Sequence, residues 1–133
     1  MTPHAAKPDE NRGRQAVIAI AFSGGGARAL AHIGVIEVLE SVGLRPAFIA
    51  ATSMGGLVAA LWGRGVPVAE MITLARGFKF PRWYLPGRIL AWRELFAGVE
   101  PLLEGLRLEQ ISLPVVLSTV DILAGEQVVL SSG

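Results

Sequence analysis

Cysteine is absent from the 133 residues of this sequence, which excludes a disulfide scaffold, a cysteine-ligated zinc site and a thiol nucleophile. An excess of either charge is also absent, because 12 Lys and Arg stand against 11 Asp and Glu, giving a net charge of +1. Nucleic-acid-binding domains show a clustered basic surface instead. We therefore expect no nucleic-acid partner.

A long apolar run is missing as well. Residues 1–15 are polar and carry charges of both signs, so no secretory signal is readable and we expect a disordered tail on a cytoplasmic protein. Residues 46–63 are uncharged over 18 positions, about the lower limit for a membrane span. The pair Gly55-Gly56 would break an apolar helix there. We predict a strand, a sharp turn and a buried helix, and expect no transmembrane segment.

Two short apolar segments dominate the first half of the chain. Residues 16–22 and 47–52 each predict a strand buried on both faces, as in parallel sheets. Helical periodicity follows each of them, from Ala27 and from Met54. This alternation predicts parallel strands joined by right-handed crossovers.

The rest of the sequence suits a single domain over residues 16–133. The segment 78–106 is rich in aromatics and proline and predicts an irregular, partly helical cover over one end of the sheet. The other predicted elements are a helix over 66–76 and strands over 114–121 and 127–131, the strands being joined by a turn at Ala124-Gly125.

The glycine-rich turn after the first strand is open to several interpretations. The spacing Gly24-x-Gly26-x-x-Ala29 suits a dinucleotide pyrophosphate held at a helix N-terminus. That fingerprint also needs an acid about 20 residues on, whereas residues 41–69 contain no Asp or Glu. The same amides are suited to an oxyanion hole, where they stabilise developing negative charge. By itself the turn favours purely structural glycines, because a single glycine fingerprint is a weak signal.

The turn after the second strand has the spacing of a nucleophile elbow, G-x-S-x-G, with Ala51 in place of the first glycine. Such a sharp strand-to-helix turn exposes the serine hydroxyl, and the small residues Ala51 and Gly55 allow the two backbones to approach. Ser53 also begins the helix, so its oxygen lies in the positive field of the helix terminus. The alternative is that Ser53 is only an N-cap.

Few residues are available to activate Ser53. Both histidines, His4 and His32, precede it, which excludes the Ser-Asp-His chain order of α/β-hydrolases. We predict that His32, on the first helix, is a packing residue. Of the two aspartates, Asp9 lies in the tail and Asp121 at a strand end. Asp121 is the one aspartate of the ordered chain that is a candidate base, although its position favours a turn-forming role.

Together, residues 23–35 and 51–56 resemble the two hallmark segments of the patatin-like phospholipase domain. The first resembles the family's G-G-G-x-R-G loop, with Ala29 in place of the last glycine, and the second its G-x-S-x-G elbow. Residues 118–126 resemble a later family segment more weakly. The resemblance extends over most of residues 16–133.

This resemblance implies a three-layer α/β/α fold with a mainly parallel sheet, and a Ser-Asp dyad that hydrolyses lipid carboxylic esters without metal or cofactor. Ser53 would be the nucleophile that forms an acyl-enzyme. The amides of Gly24, Gly25 and Gly26 would stabilise the oxyanion, with Arg28 helping to orient the loop. The substrate would be a lipid or another ester, and the aromatic segment 78–92 is a candidate contact with a membrane surface or acyl chain.

One part of the family pattern is missing. The resemblance places the dyad aspartate in a D-G-G or D-G-A motif, which does not occur in these 133 residues. Asp121 lies in a segment that precedes this motif in the family and does not inherit its role. We therefore expect either a truncated domain or one half of a site that a complementing chain or a second copy completes, and little activity from residues 1–133 alone. The alternatives are a dinucleotide-binding module using residues 24–29 and a non-catalytic remnant.

Overall fold

The computed structural model describes residues 17–78 and 97–133, which form one four-stranded sheet with helices. The strands are β1 (Ala19–Phe22), β2 (Phe48–Thr52), β3 (Val115–Asp121) and β4 (Glu126–Leu130). The helices are a 3₁₀ helix (Gly26–Leu30), α1 (Ala31–Ser41), α2 (Met54–Arg64), α3 (Val68–Gly77), the single-turn α4 (Glu100–Leu103) and a second 3₁₀ helix (Leu108–Gln110). The predicted α/β architecture with a mainly parallel sheet is confirmed.

The strands lie side by side in chain order, and this order determines where the functional turns meet. β1 pairs in parallel with β2, and β2 in parallel with β3, whereas β4 returns antiparallel to β3. Phe22 lies opposite Ala51, and Thr52 lies opposite Ser118. Because parallel strands end at the same edge, the turns that follow β1 and β2 are neighbours at that edge.

The first predicted helix differs from expectation in its opening turn. It starts as a 3₁₀ helix and becomes an α-helix at Ala31. Gly25 precedes this tight turn and Gly26 begins it, with φ angles of 132° and 58°, which glycine adopts without steric cost. The Arg28 amide donates to the Gly25 carbonyl over 3.3 Å, a three-residue spacing typical of 3₁₀ geometry.

The core lies on one face of the sheet. Phe22, Ile49 and Val115 point into it and are almost fully buried, together with residues of α1, α2 and α3. The alternating positions face the other way, and Phe48 is 41% exposed there. The prediction that β1 and β2 are buried on both faces is therefore wrong within the described residues. The reason is the strand order, because strands that follow one another in the same direction across a sheet have right-handed crossovers on the same side of it.

Several predicted segments lie wholly or partly outside the described residues. These include the tail, 1–15, and most of the aromatic segment, of which Phe78 packs against the core. Val99, on the far side of that gap, is buried in the same core. Residues 46–63 contain β2 and most of α2, as predicted. In the described ranges no helix combines the length and the apolar character needed to cross a bilayer.

The packing of α2 is tested by a matched pair of helical glycines. A Cβ at Gly63 would lie 2.5 Å from Ile111 Cγ2 and 3.1 Å from the Leu113 carbonyl oxygen, whereas one at Gly34 would meet nothing within 4 Å. We expect Gly63→Ala to lower the free energy of unfolding by about 1–3 kcal/mol through overpacking. Gly34→Ala should raise it by about 0.4–1 kcal/mol. Urea unfolding measures both, and equal stability of the two variants would contradict the packing described.

Candidate active site

Ser53 occupies a strained backbone position between β2 and α2. Its φ and ψ are 51° and −133°, and it is the one non-glycine residue with positive φ in the described ranges. Conformations of this kind cost about 1–3 kcal/mol and cluster at functional sites. The side chain is exposed and makes no capping hydrogen bond, although Ser53 stands at the N-cap position of α2. A capping role therefore does not explain this serine.

Gly55 permits the close contact that creates this elbow. A Cβ on Gly55 would lie 2.5 Å from the carbonyl oxygen of Ser23 and 2.8 Å from that of Phe22. The first turn of α2 thus lies directly against the end of β1, which any side chain at this position would prevent. Ala51, two residues before Ser53, is 5% exposed, so its methyl group is accommodated in the core.

The glycine-rich loop lies against the Ser53 side chain. A Cβ on Gly24 would be 2.9 Å from Ser53 Cβ and 3.6 Å from Ser53 Oγ. In residues 17–78 and 97–133, the backbone amides of Gly24 and Gly25 have no carbonyl acceptor. These amides are therefore free to bind a ligand beside the serine hydroxyl. With Gly26 at the start of the 3₁₀ helix, they have the composition of an oxyanion hole.

The residues that follow the glycines attach the loop to the elbow helix. Ala29 is 2% exposed and packs against Met54, the residue after Ser53. The methyl that replaces the family's glycine therefore adds a contact between the two turns. The Arg28 side chain is exposed and makes no ion pair within the described residues, while its amide closes the tight turn on Gly25.

Asp121 is engaged in the turn between β3 and β4. Its Oδ1 accepts hydrogen bonds from the amides of Ala124, at 3.1 Å, and Leu123, at 2.8 Å, and these lower the pKa of its carboxyl. Since Ser118 lies opposite Thr52, Asp121 is three residues further along β3, about 10 Å from the level of Thr52. The structure thus brings Ser53 and the glycine loop together, and places Asp121 elsewhere as a turn former.

A groove of about 390 Å³ opens beside Ser53. Its walls are mainly apolar and include Leu57 and Ala60 of α2 and Leu117 of β3. The volume is at the lower end of the range for small-molecule sites. Among residues 17–78 and 97–133, no group of three His, Asp or Glu side chains is arranged to hold a metal ion.

Sequence reasoning missed two features of this site. The groove residue Leu117 belongs to a strand whose alternation was readable, but its proximity to Ser53 depends on the order of strands in the sheet. His32 packs as predicted, since its ring stacks on that of Phe22 with centroids 4.7 Å apart. Its Nε2 also lies 3.0 Å from the Ser23 carbonyl oxygen, a contact that no local sequence signal indicates.

The strain at the elbow gives a stability test. Ser53→Ala removes the hydroxyl and keeps Cβ, whereas Ser53→Gly also relieves the positive φ. We expect the glycine variant to be more stable than the alanine variant by about 1 kcal/mol. Urea unfolding of the two variants measures the difference. A glycine variant less stable than the alanine variant would show that the elbow is not strained.

The turn at Asp121 gives a pH-dependent test. Because the native pKa is lowered, the carboxylate stabilises the hairpin above the ordinary Asp pKa, and this stabilisation is lost as the pH falls through the lowered value. We expect Asp121→Ala to be less stable than the unaltered protein at about pH 7, with the gap narrowing towards about pH 3. Asp121→Asn keeps an acceptor oxygen, so its stability at about pH 7 should lie between those of Asp121→Ala and the unaltered protein. A gap unaffected by acidification would exclude the carboxylate from holding the turn.

Comparison with known proteins identifies the family. Residues 20–114 match the Patatin-like phospholipase family model. Lysophospholipase nte1 of Aspergillus fumigatus is 39% identical over 61 residues, and Lysophospholipase NTE1 of Pyricularia oryzae is 38% identical over the same length. Each match covers 46% of this chain, which spans about 4% of the length of these relatives. The chain belongs to the patatin-like phospholipase family.

Proposed function

We propose that Ser53 is the nucleophile, and the glycine-rich loop the oxyanion hole, of a serine hydrolase that cleaves carboxylic esters of lipids. The observation that supports this most strongly is the juxtaposition of Ser53, exposed at a strained elbow, with Gly24 of the amide-bearing loop. Two separate turns meet there, one carrying a hydroxyl and the other carrying backbone donors without acceptors. This combination is what acyl transfer needs.

In the proposed reaction, Ser53 Oγ attacks the carbonyl carbon of the ester, and its proton passes to a general base. The carbonyl oxygen gains the negative charge and accepts hydrogen bonds from the amides of Gly24 and Gly25. When the intermediate collapses, the C–O bond to the alcohol breaks, the alcohol leaves with a proton, and the acyl group stays on Ser53. A water molecule then attacks the acyl-enzyme, releasing the carboxylic acid and restoring the hydroxyl.

The acyl part of the substrate would lie in the groove beside Ser53. Its apolar walls, including Leu57 and Leu117, suit a hydrocarbon chain better than a polar group. The names of the similar fungal proteins, lysophospholipases, also favour a lipid ester. Such substrates are presented at a membrane surface, so we propose that the protein acts there. The predicted aromatic contact at 79–92 lies outside the described residues.

The base is proposed to be a carboxylate other than Asp121. A general base must come within about 3.2 Å of the oxygen whose proton it accepts, whereas the Asp121 carboxylate is held by the amides of Leu123 and Ala124 in the β3–β4 turn. The D-G-G or D-G-A motif to which the family resemblance assigns the base does not occur in the 133 residues. We propose that the base comes from residues that extend this domain, from a complementing chain or from a second copy. Base assistance is worth about 10²–10⁴-fold, so the 133 residues alone should react slowly.

The dinucleotide hypothesis has less support. Gly24 of the loop lies against a serine side chain, and the second strand ends in Thr52-Ser53, where the fingerprint requires an acid. The loop amides beside a hydroxyl suit acyl transfer, which does not require a residue that binds a ribose. A non-catalytic remnant would have the same geometry but an unreactive Ser53, so an experiment on Ser53 separates it from a hydrolase.

The proposal is tested by covalent labelling. In the complete domain, where the proposed base is present, we expect a fluorophosphonate probe to form an adduct that peptide mass spectrometry places on Ser53, because the elbow and the loop amides favour attack there. Ser53→Ala should remove the adduct. Ser41→Ala, which changes an exposed serine at the end of α1, should keep it. Asp121→Asn should label at the unaltered rate.

Three outcomes would contradict parts of this proposal. An adduct spread over several serines, or equal labelling of the folded and the urea-unfolded chain, would favour the non-catalytic remnant. A hundredfold or larger loss of labelling in Asp121→Asn would make Asp121 the base. Thermal stabilisation by a dinucleotide at millimolar concentration would support the hypothesis of a dinucleotide-binding module.

A further inference from the structure

The geometry points to His32 as a positioning residue that aims the Gly24 amide in the oxyanion hole. This inference rests on the proposed function, because it assigns His32 to the same acyl-transfer site. His32 is the second residue of α1, and its ring is held from two directions. It stacks nearly parallel on the Phe22 ring, at an interplanar angle of 14°, and its Nε2 lies 3.0 Å from the Ser23 carbonyl oxygen.

The Ser23 carbonyl and the Gly24 amide belong to one peptide unit. No cis peptide occurs in the described ranges, so this unit is planar and trans. In a trans peptide the C=O and the N–H point in opposite directions. A hydrogen bond that fixes the Ser23 oxygen therefore fixes the direction of the Gly24 N–H, which points away from the imidazole. Gly24 is also the loop residue in contact with the Ser53 side chain.

The loop needs such an anchor because its own backbone is permissive. Gly25 and Gly26 both have positive φ, and glycine populates these and other conformations readily. On its other side the Ser23 oxygen lies against Gly55, where a Cβ would be 2.5 Å away. The carbonyl is thus held between α1, through His32, and the first turn of α2. Oxyanion donors act only when they are held in position before the reaction.

The hydrogen bond also defines which ring nitrogen carries a proton and separates this role from that of a base. A carbonyl oxygen only accepts, so Nε2 must carry a proton, and it does so in the Nε2–H tautomer and in the charged ring alike. Because Nε2 is engaged by Ser23, it is not the proton acceptor for Ser53. The positioning role therefore survives protonation of His32, whereas a general-base role would be lost.

Two substitutions separate the hydrogen bond from the packing. His32→Phe keeps an aromatic ring on Phe22 and removes the donor, while His32→Gln carries an amide nitrogen four bonds from Cα, as far as Nε2. We expect fluorophosphonate labelling of Ser53 to slow about tenfold or more in His32→Phe, with the probe concentration at half-saturation unchanged. His32→Gln should label within about threefold of the unaltered chain. The ratio of the His32→Phe rate to the unaltered rate should stay constant between about pH 5 and pH 8.

A measurement on the unaltered chain keeps the inference testable if His32→Phe does not fold. The nitrogen-15 chemical shifts of the imidazole should show a proton on Nε2. Labelling of His32→Phe at the unaltered rate, an equal loss in both variants, or an Nδ1–H tautomer would overturn the positioning role. Failure of the complete domain to label at Ser53 would overturn the proposed function instead, while the position of the imidazole proton would still decide whether His32 holds the Ser23 carbonyl.

Discussion

The contact between the first turn of α2 and the end of β1 is the constraint on which the site depends. It exists because Gly55 has no Cβ: a methyl there would overlap two backbone carbonyl oxygens at 2.5 and 2.8 Å. Once α2 is this close, the chain must turn sharply out of β2, and Ser53 takes the positive φ that completes the turn. The same approach brings the glycine loop after β1 against the Ser53 side chain. One missing methyl thus determines both the exposure of the hydroxyl and its neighbours.

The parts of this site that could be predicted from the sequence are the parts with local signals. Glycines after apolar runs mark the two turns, and their spacing predicts a strand-to-helix elbow at Ser53 whatever the rest of the fold does. The hydrogen bond of His32 could not be predicted, because it joins residues nine positions apart through the opening turn of a helix. The one-sided burial of β1 and β2 was also missed. Apolar runs indicate which residues can be buried, while the handedness of the crossovers decides where helices lie.

The polarity of the site comes from the backbone rather than from charged side chains. In the described ranges the one ion pair joins Arg107 to Glu109, next to the second 3₁₀ helix. The Gly133 amide and Arg107 lower the pKa of Glu109 to about 2. This shift therefore belongs to the exposed ion pair of Arg107 and Glu109. Around Ser53 the resources for stabilising charge are the free loop amides and the N-terminus of α2. Such donors are fixed by folding and need no reorganisation when an oxyanion forms.

The geometry separates the formation of the elbow from the supply of a base. Ser53, the glycine loop and His32 are held by contacts among β1, β2, α1 and α2, all of which lie within residues 19–64. One hydrogen bond among these elements reaches a carboxylate, from Trp62 Nε1 to Glu40 Oε1 at 2.8 Å, and it joins α2 to α1 near their C-terminal ends. The contacts described around Ser53 itself use backbone groups, Met54, Ala29 and the His32 ring. Asp121 lies in the same sheet but uses its carboxylate to close the β3–β4 turn. Within the described residues, the fold therefore places the proposed nucleophile beside its proposed amide donors, while the carboxylate of Asp121 is used in the β3–β4 turn.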